Sequence, residues 1–375
     1  MIEKLSETED IWEHLRRTDK PIVLYGMGDG ALKIMHVFDR YGIRLSGIFA
    51  SDDFQRGHSF AGFPVLTLAK VKERYKDFII VLAFGTFREP LLSYLYELSE
   101  RHEFYAPDVP VCVEDEQVFT LDYIRAHEAE LDKVYDRLAD EQSRQVLLDT
   151  LNYKVSGKVA YLKRCTTPIE EVYEQLLHLT AHEDYVDLGA YNGDTIVEFL
   201  QHTGGRYRTI TAFEPDKKNF KKLQKQIEAL RLQNVTALNC GSYREKTTLL
   251  FAGKAGRNSA LNAKEGVPTP VDSVDNVLHG HPATVLKLDV EGAEEQTLWG
   301  ARQTIERYHP NILLSAYHKN SDLFLLPLLA LAFYPDYRLY LRHHPYIPAW
   351  ETNFYLVDPA RCTSPMKRGE RLEIH

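Results

Sequence analysis

Carboxylates, glycines and a histidine recur at spacings that can hold a cofactor and move a proton. Asp187-Leu188-Gly189-Ala190-Tyr191-Asn192-Gly193-Asp194-Thr195 follows the apolar pair Tyr185-Val186 and runs into an amphipathic stretch. This reads as a strand, a glycine turn and a helix start, with Glu214 at the tip of the next predicted strand, Thr209 to Phe213. The pattern suits a nucleotide cofactor. Gly189 lets the backbone approach a ligand, Gly193 lets the turn tuck against the strand, and Glu214 can accept hydrogen bonds from both ribose hydroxyls. A dinucleotide turn wants small residues at its first, third and sixth positions, and this chain has Gly189, Tyr191 and Asp194 there, which argues against NAD at this turn. The acid before the first glycine and the later glycine instead suit S-adenosylmethionine, whose amino-acid end needs polar partners; Asp187, Asn192, Asp194 and Thr195 can supply them. The bland alternative is an ordinary strand-to-helix turn with Asp194 as the helix cap.

Methyl transfer from a sulfonium is an in-line displacement, so the protein supplies positioning and, for a hydroxyl acceptor, a base. His318 follows the apolar run Asn311 to Ser315 and is the leading base, because an ordinary imidazole pKa of about 6.5 suits proton abstraction near neutrality. Asp289 can orient it or hold the acceptor. Glu291 and Glu294 are weaker candidates: Glu291 lies in the same turn and can touch the acceptor or the helix N-terminus, and the alternative for Glu294 is a solvent-facing place on the following helix. Asp289, Glu291 and His318 together could hold a divalent metal, but no spacing here is specific for one and none is assigned. The adjacent His343 and His344 read as a surface loop.

Four blocks in order, Tyr185-Val186-Asp187-Leu188-Gly189-Ala190, Phe213-Glu214-Pro215-Asp216, Leu286-Lys287-Leu288-Asp289-Val290-Glu291-Gly292-Ala293-Glu294 and Leu314-Ser315-Ala316-Tyr317-His318-Lys319, resemble the successive signatures of FkbM-type S-adenosylmethionine-dependent methyltransferases. The Asp-Val-Glu-Gly-Ala-Glu block is the most specific of them. The resemblance runs from about Leu138 to Tyr355 and leaves residues 1 to roughly 120 uncovered. It implies a class I, Rossmann-like fold and an O-methyltransferase acting on a hydroxyl of a sugar, polysaccharide or related secondary metabolite. Ligands in such sheets gather at the carboxyl ends of strands, which singles out Asp187, Glu214, Gly241, Asp289 and His318; Ala190, Tyr191, Pro215 and Ser242 join the expected cofactor contacts.

The first domain opens in the same way, with Ile22 to Tyr25, then Gly26-Met27-Gly28-Asp29-Gly30-Ala31, then an amphipathic run to about Tyr41. Here Gly26, Gly28 and Ala31 do fit the dinucleotide spacing, and Asp52 falls near the end of the next strand, Arg44 to Phe49, where a ribose-binding acid belongs. Further strands are expected at Phe78 to Ala83 and Phe104-Tyr105, with a turn at Gly62-Phe63-Pro64-Val65. Steric need alone also explains glycine in such a turn, so a second nucleotide or sugar site is an open alternative. A rival reading follows, in which a nucleotide-sugar or NAD-binding first domain carries the main activity.

The elements that must position these groups are α/β throughout. A smaller Rossmann-like domain (1–120) and a helical connector (121–180) precede a methyltransferase domain (181–375). The connector's periodic Leu131, Val134, Leu138, Val146, Leu147 and Leu151 predict helices laid on the methyltransferase core; Tyr153 and Lys154 could reach its mouth but are better read as packing or solvated. In the catalytic half, strands are expected at Val235 to Leu238, Val285 to Leu288, Tyr337 to Leu341 and Asn353 to Val357 besides those above. A polar insert, Gly253 to Pro270, is the candidate acceptor lid.

Composition agrees with a soluble globular chain of 375 residues, 44% hydrophobic and 26% charged. A formal net charge of -9 disfavours nucleic acid or an anionic membrane as partner. The expected partner is a small-molecule or glycan hydroxyl acceptor, and a homo-oligomer is compatible with the sequence. Met1 to Asp10 is acidic and lacks the features of a secretory signal, and the four scattered cysteines suggest reduced thiols, so the expectation is a cytoplasmic protein.

Overall fold

A computed structural model describes residues 1–51, 59–111, 117–252, 260–261 and 266–361. It divides into two units. The first comprises Met1–Tyr135, Glu141–Thr167 and Arg342–Thr352, and the second Asp136–Asp140, Pro168–Leu341 and the chain from Asn353 onward.

The first unit is built from α1 (Ile11–Arg17), β1 (Ile22–Tyr25), α2 (Asp29–Tyr41), β2 (Leu45–Phe49), β3 (Ser59–Phe60), β4 (Phe63–Leu66), α3 (Leu68–Arg74), β5 (Ile79–Leu82), α4 (Glu89–Arg101), β6 (Glu103–Tyr105), α5 (Leu121–Ala126), most of α6 (Glu128–Arg137), α7 (Glu141–Ser156) and α8 (Val159–Cys165). Its sheet runs β3-β4-β2-β1-β5-β6, parallel except where β3 meets β4. The central strands β1 and β5 are apolar and buried at every position because both faces are covered, and successive residues alternate between two cores. Leu24, Ile48 and Val81 pack with Trp12, Ile34 and Phe38. Val23, Ile80 and Leu82 pack on the other side with Leu92, Leu95, Tyr153 and Leu162. Phe63–Val65, expected as part of a turn, form β4 instead; the turn itself is Ala61-Gly62, both with positive φ.

The sequence-based boundary at residue 120 shifts accordingly. Glu141–Thr167, read as a connector, is grouped with the first unit, where Tyr153 is fully buried and donates from its hydroxyl to Ala106 O at 2.7 Å. Lys154 Nζ lies 2.5 Å from Asp108 Oδ2 with both side chains at most 10% exposed, so it is neither solvated nor at a mouth. Arg342–Thr352 also belongs to this unit: Arg342 Nη1 donates to Ser143 Oγ at 2.7 Å, and Ile347 and Ala349 enter its core. His343 and His344 are therefore buried, not a surface loop, and burial lowers the His343 pKa to about 3.

The second unit continues with α9 (Ile169–Val172), β7 (Asp184–Leu188), α10 (Asp194–His202), β8 (Thr209–Phe213), α11 (Lys217–Ala229), β9 (Val235–Leu238), β10 (Gly241–Ser242), β11 (Thr247–Ala252), β12 (Ala260–Leu261), β13 (Val267–Asp272), α12 (Val274–Leu278), β14 (Val285–Leu288), α13 (Glu294–Gly300), α14 (Arg302–Tyr308), β15 (Asn311–Ser315), α15 (Leu325–Phe333), β16 (Arg338–His343) and β17 (Thr352–Val357). The main sheet has the order β16-β17-β15-β14-β7-β8-β9. Strand β17 is antiparallel to β15, while β15, β14, β7, β8 and β9 are parallel neighbours. The order reverses between β7 and β14, which opens a crevice at their carboxyl ends. One face is packed by Tyr185, Ile210, Ala212 and Val285 against Ile196, Phe199 and Leu223 from α10 and α11.

The expected strands are all present, within a residue or two at their ends. The insert before β14 is more ordered than expected: β10, β13, β11 and β12 form a second, four-stranded sheet, and Val267–Pro270 of the expected lid lie in β13. The lid residues 253–259 and 262–265 lie outside the described residues. Among the described residues no helix is long and apolar enough to cross a membrane. Cys165 and Cys240 are free thiols, whereas Cys112 and Cys362 lie outside the described residues.

Candidate functional site

Strand β7 ends at the switch point and delivers the turn Gly189–Gly193. Gly189 N and Ala190 N both donate to Phe213 O, at 3.1 and 2.9 Å, which ties the turn to the end of β8. Gly189 has a φ of 90°, and a Cβ added to it would stand 1.9 Å from Asp289 O. The neighbouring turn after β14 therefore already demands glycine at this position. Gly193 likewise gives room to Leu223 and Gln226 of α11, rather than to the strand. It is also the cap residue of α10: Asp194 is already inside the helix, where its Oδ1 accepts from Thr195 N at 2.9 Å, so the expected Asp194 cap is absent.

Glu214 is 5% exposed and holds the turn directly. Its Oε2 accepts from Tyr191 N and its Oε1 from Asp216 N, each at 2.8 Å. A carboxylate oxygen has two lone pairs, so each retains one for a further donor. Burial raises the Glu214 pKa to about 7 against the pull of those two N–H groups. Asp216 caps α11 by accepting from Lys218 N and Asn219 N, and Asn239 Nδ2 donates to Glu214 O at 2.9 Å and Pro215 O at 3.2 Å. The strand tip that carries the acid is therefore fixed from three sides. Asn239 was not anticipated; its position just past β9 was the signal available.

Asp187 is fully buried at the end of β7. Thr195 Oγ1 donates to its Oδ2 at 2.5 Å, and Lys287 Nζ, across the sheet on β14, lies 3.7 Å from its Oδ1. That Oδ1 has no hydrogen-bond partner among the described residues, so the ion pair with Lys287 is what balances it. Burial raises the Asp187 pKa despite Lys287 and Thr195. Tyr191 is 48% exposed at a φ of 46°, with Lys222 Nζ 5.6 Å above its ring, and Asn192 Oδ1 accepts from Asp194 N. Gly241 and Ser242 lie buried in β10, where Ser242 Oγ meets Thr297 Oγ1 at 3.0 Å; that hydroxyl is engaged by α13.

At the ends of β14 and β15 the structure brings Asp289, Glu291 and His318 together. His318 Nε2 lies 3.5 Å from both Asp289 Oδ1 and Glu291 Oε2, while Nδ1 stands 2.9 Å from Glu294 Oε1. Glu294, a weaker candidate for which a solvent face was the alternative, is 1% exposed, and its Oε1 also accepts from Val290 N at 2.9 Å. Asp289 takes the Tyr317 hydroxyl at 3.1 Å and faces Lys287 at 3.9 Å. Burial alone would lower the His318 pKa, but Glu294 above all, then Glu291 and Asp289, push it up to about 10. The ring is an imidazolium among carboxylates. It does not have the near-neutral pKa expected of a general base. Burial and nearby Glu294 raise Asp322, another residue the sequence did not flag, to about 7.

In the first unit, Gly26 lies against Phe84, and Gly30 against Ala83 O, which a Cβ would approach to 2.3 Å. The residue that must stay small for α2 to close on the sheet is therefore Gly30, and Ala31, fully buried, is a core residue. Gly28, at a φ of 111°, has nothing within 4 Å of its would-be Cβ. Asp52 lies outside the described residues.

Residues 187–348 match the family model described as methyltransferase FkbM domain, and that span contains the motifs of the cofactor turn and the carboxylate cluster. The chain is similar to a solved methyltransferase FkbM from Methylobacillus flagellatus KT, at 21% identity over 94% of each chain with a TM-score of 0.72, so the fold likeness extends through both units. It is also similar to an rRNA methylase from Streptococcus thermophilus (14% identity, 52% of this chain and 97% of that one, TM-score 0.34). A third similar structure is Aeropyrum pernix fibrillarin with natively bound S-adenosyl-L-methionine (12% identity, 50% of this chain and 72% of that one, TM-score 0.31). No curated protein matches the chain.

Proposed function

We propose, from the methyltransferase FkbM domain matched by residues 187–348, that the chain is an S-adenosylmethionine-dependent O-methyltransferase acting on a hydroxyl of a sugar, polysaccharide or secondary metabolite. The observation that carries the cofactor reading is Glu214: a buried carboxylate at the tip of β8, next to the switch-point strand β7, tied to the turn through Tyr191 N and to α11 through Asp216 N, with one acceptor site left on each oxygen. Two vicinal ribose hydroxyls match that pair of sites. Asp187, whose buried Oδ1 has no hydrogen-bond partner among the described residues, and the polar groups of Asn192 and Thr195 suit the ammonium and carboxylate of the amino-acid end. Gly189, Ala190, Gly193 and Asp194 shape the same turn. When bound, the cofactor supplies an electrophilic methyl group on sulfur.

The acceptor end is assigned to Asp289, Glu291 and His318. Transfer to a hydroxyl forms an oxygen–carbon bond, breaks the sulfur–carbon bond and releases the hydroxyl proton. With its pKa at about 10, His318 is a proton donor and counter-charge near neutrality, so it positions Asp289 and Glu291 rather than accepting that proton. Burial raises the Asp289 carboxyl but Lys287 and His318 together hold it below its usual range, so the proton goes to Glu291, whose side chain is 33% exposed.

The test is calorimetric titration of the full chain with S-adenosylhomocysteine, followed by incubation with labelled S-adenosylmethionine and a panel of glycans and nucleotide sugars. Binding that Glu214→Gln weakens, with label on an acceptor oxygen, is the expected result. Absence of binding, alongside NAD or nucleotide-sugar binding that Gly28→Glu abolishes, would give the main activity to the first unit instead. Label on nitrogen would replace the hydroxyl by an amine.

A further inference from the structure

We infer that the outer face of α11 is a binding surface for an anionic glycan chain, one bearing carboxylate or phosphate groups. Lys217, Lys218, Lys221, Lys222 and Lys225 are all exposed, and the stretch 217–225 contains no acid. At about 100° per residue the five fall within about 140° of the helix circumference. Phe220, Leu223 and Ile227 take the opposite side, where Leu223 is fully buried and the other two pack against the same core. The sheet therefore holds α11 with its lysines turned outward, in a row about 12 Å long. A charged helix face is ordinarily solvated, with opposite charges paired three or four residues apart. Other helices of this chain follow that rule: Arg16 pairs with Glu13, Lys33 with Asp29, Arg101 with Glu97, Arg125 with Asp122 and Arg302 with Glu306. On α11 the rule fails. Among the described residues none of its five lysines makes an ion pair, in a chain that carries 54 acids against 45 lysines and arginines. Like charges at that spacing repel one another, and an anion laid along them removes the repulsion.

The row is continuous with the cofactor turn. Lys222 Nζ lies 5.6 Å from the centre of the Tyr191 ring, which is 48% exposed, and Tyr191 N donates to Glu214. Yet α11 joins β8 to β9, across β7 from the carboxylate cluster at the ends of β14 and β15. The lysines thus serve parts of an acceptor remote from the reacting hydroxyl, which a polymer has and a small metabolite lacks. An ammonium is a point charge that takes carboxylate and phosphate alike. Nucleic acid suits the row less well: a duplex carries one charge per about 1.7 Å of axis, and a protein of net charge -9 repels that density on every side of so short a row. A glycan spaces its charges by whole sugar rings. The choice of a glycan rests on the acceptor class proposed above, whereas the anion-binding face does not.

The experiment is fluorescence anisotropy of end-labelled oligosaccharides titrated with the full chain, with no methyl donor present. The probes are an oligogalacturonate, a phosphorylated oligomannoside, a neutral maltodextrin and a short single-stranded DNA. Wild type is expected to bind at least one of the two anionic glycans saturably, more weakly as salt rises, and to ignore maltodextrin; which glycan binds names the charged group. Lys218→Gln, Lys221→Gln and Lys225→Gln combined, at the centre of the row, keep the helix propensity and should weaken binding about tenfold. Lys70→Gln, Lys72→Gln and Lys76→Gln combined make the same change of charge on exposed positions of the first unit and should leave binding as in wild type. No saturable binding of either anionic glycan, equal binding of maltodextrin, tighter binding of DNA, or the same affinity in the two triple variants would overturn the inference. Wild type that binds the glycan but not S-adenosylhomocysteine would instead overturn the cofactor reading and leave this surface standing.

Discussion

Lys287 faces Asp187 across the register of two parallel strands, β14 and β7, with Nζ 3.7 Å from Asp187 Oδ1, an atom with no hydrogen-bond partner among the described residues. A lysine in the middle of a buried strand is costly unless paired, and its side chain is only 16% exposed. The same Nζ stands 3.9 Å from Asp289 Oδ2, so one cation serves the end of the cofactor turn and the start of the acceptor cluster. Replacing it by Met leaves Asp187 buried without a counter-charge. We expect Lys287→Met to cost about 3 kcal/mol in urea unfolding, the usual penalty for breaking a buried pair from one side. Lys287→Met combined with Asp187→Asn should recover part of that loss. A single substitution costing less than about 0.5 kcal/mol would mean that the two residues are not coupled.

Glu214 gives a pH signature. Its pKa is raised in the fold, from 4.5 to about 7, chiefly by burial. Because the folded value lies above the unfolded one, the native state holds this proton longer, and stability falls as pH rises from about 4.5 to about 7, then levels off. Ribose hydroxyls donate to the charged form, so S-adenosylhomocysteine affinity should rise over that same window and be flat above it. Calorimetry at several pH values measures this. Glu214→Gln should remove the pH dependence and weaken binding about 10- to 100-fold, the worth of a hydrogen bond to a charged acceptor.

Two glycines that both have positive φ should answer substitution differently. Gly189→Ala places a methyl 1.9 Å from the Asp289 carbonyl, which is backbone and cannot step aside, so the ends of β7 and β14 must separate. We expect loss of soluble protein or a thermal unfolding midpoint lowered by well over 5 °C. Gly28→Ala meets nothing within 4 Å and bears only the strain of a backbone at φ 111° and ψ -155°, about 1 to 3 kcal/mol. Equal melting shifts for the two variants would contradict this account of Gly189.

What was legible in the sequence was whatever depends on local order along the chain. The turn from Asp187 to Thr195, Glu214 at the next strand tip and the alternating strands and helices are written in period and punctuation. What was not legible depends on neighbours through space. Glu294 begins a helix and reads as solvated until His318, from another strand end, is seen 2.9 Å away. His318 reads as a near-neutral base until three carboxylates are counted around it. Gly189 and Gly193 were recognised, but the atoms that require them, Asp289 O and the α11 side chains, come from other segments. His343 and His344 are polar by type yet buried, because Arg342–Thr352 belongs to the first unit's core.

Lys154 makes the same point and can be tested on its own. It lies on α7, where a lysine at the end of a helix reads as solvated, but its Nζ is 2.5 Å from Asp108 Oδ2 and 5.0 Å from the Phe119 ring centroid. Removing one charge strands the other in a site where water cannot compensate it, so Lys154→Met should cost about 3 to 5 kcal/mol. Removing both, with Asp108→Leu added, replaces two desolvated charges by apolar contact and should return stability to near the wild-type value or above it. Urea midpoints of the full chain measure both. Since neither residue belongs to the turn or the carboxylate cluster, the double variant should bind S-adenosylhomocysteine as wild type does; weakened binding in a fully stable double variant would mean that Lys154 reaches the cofactor pocket after all.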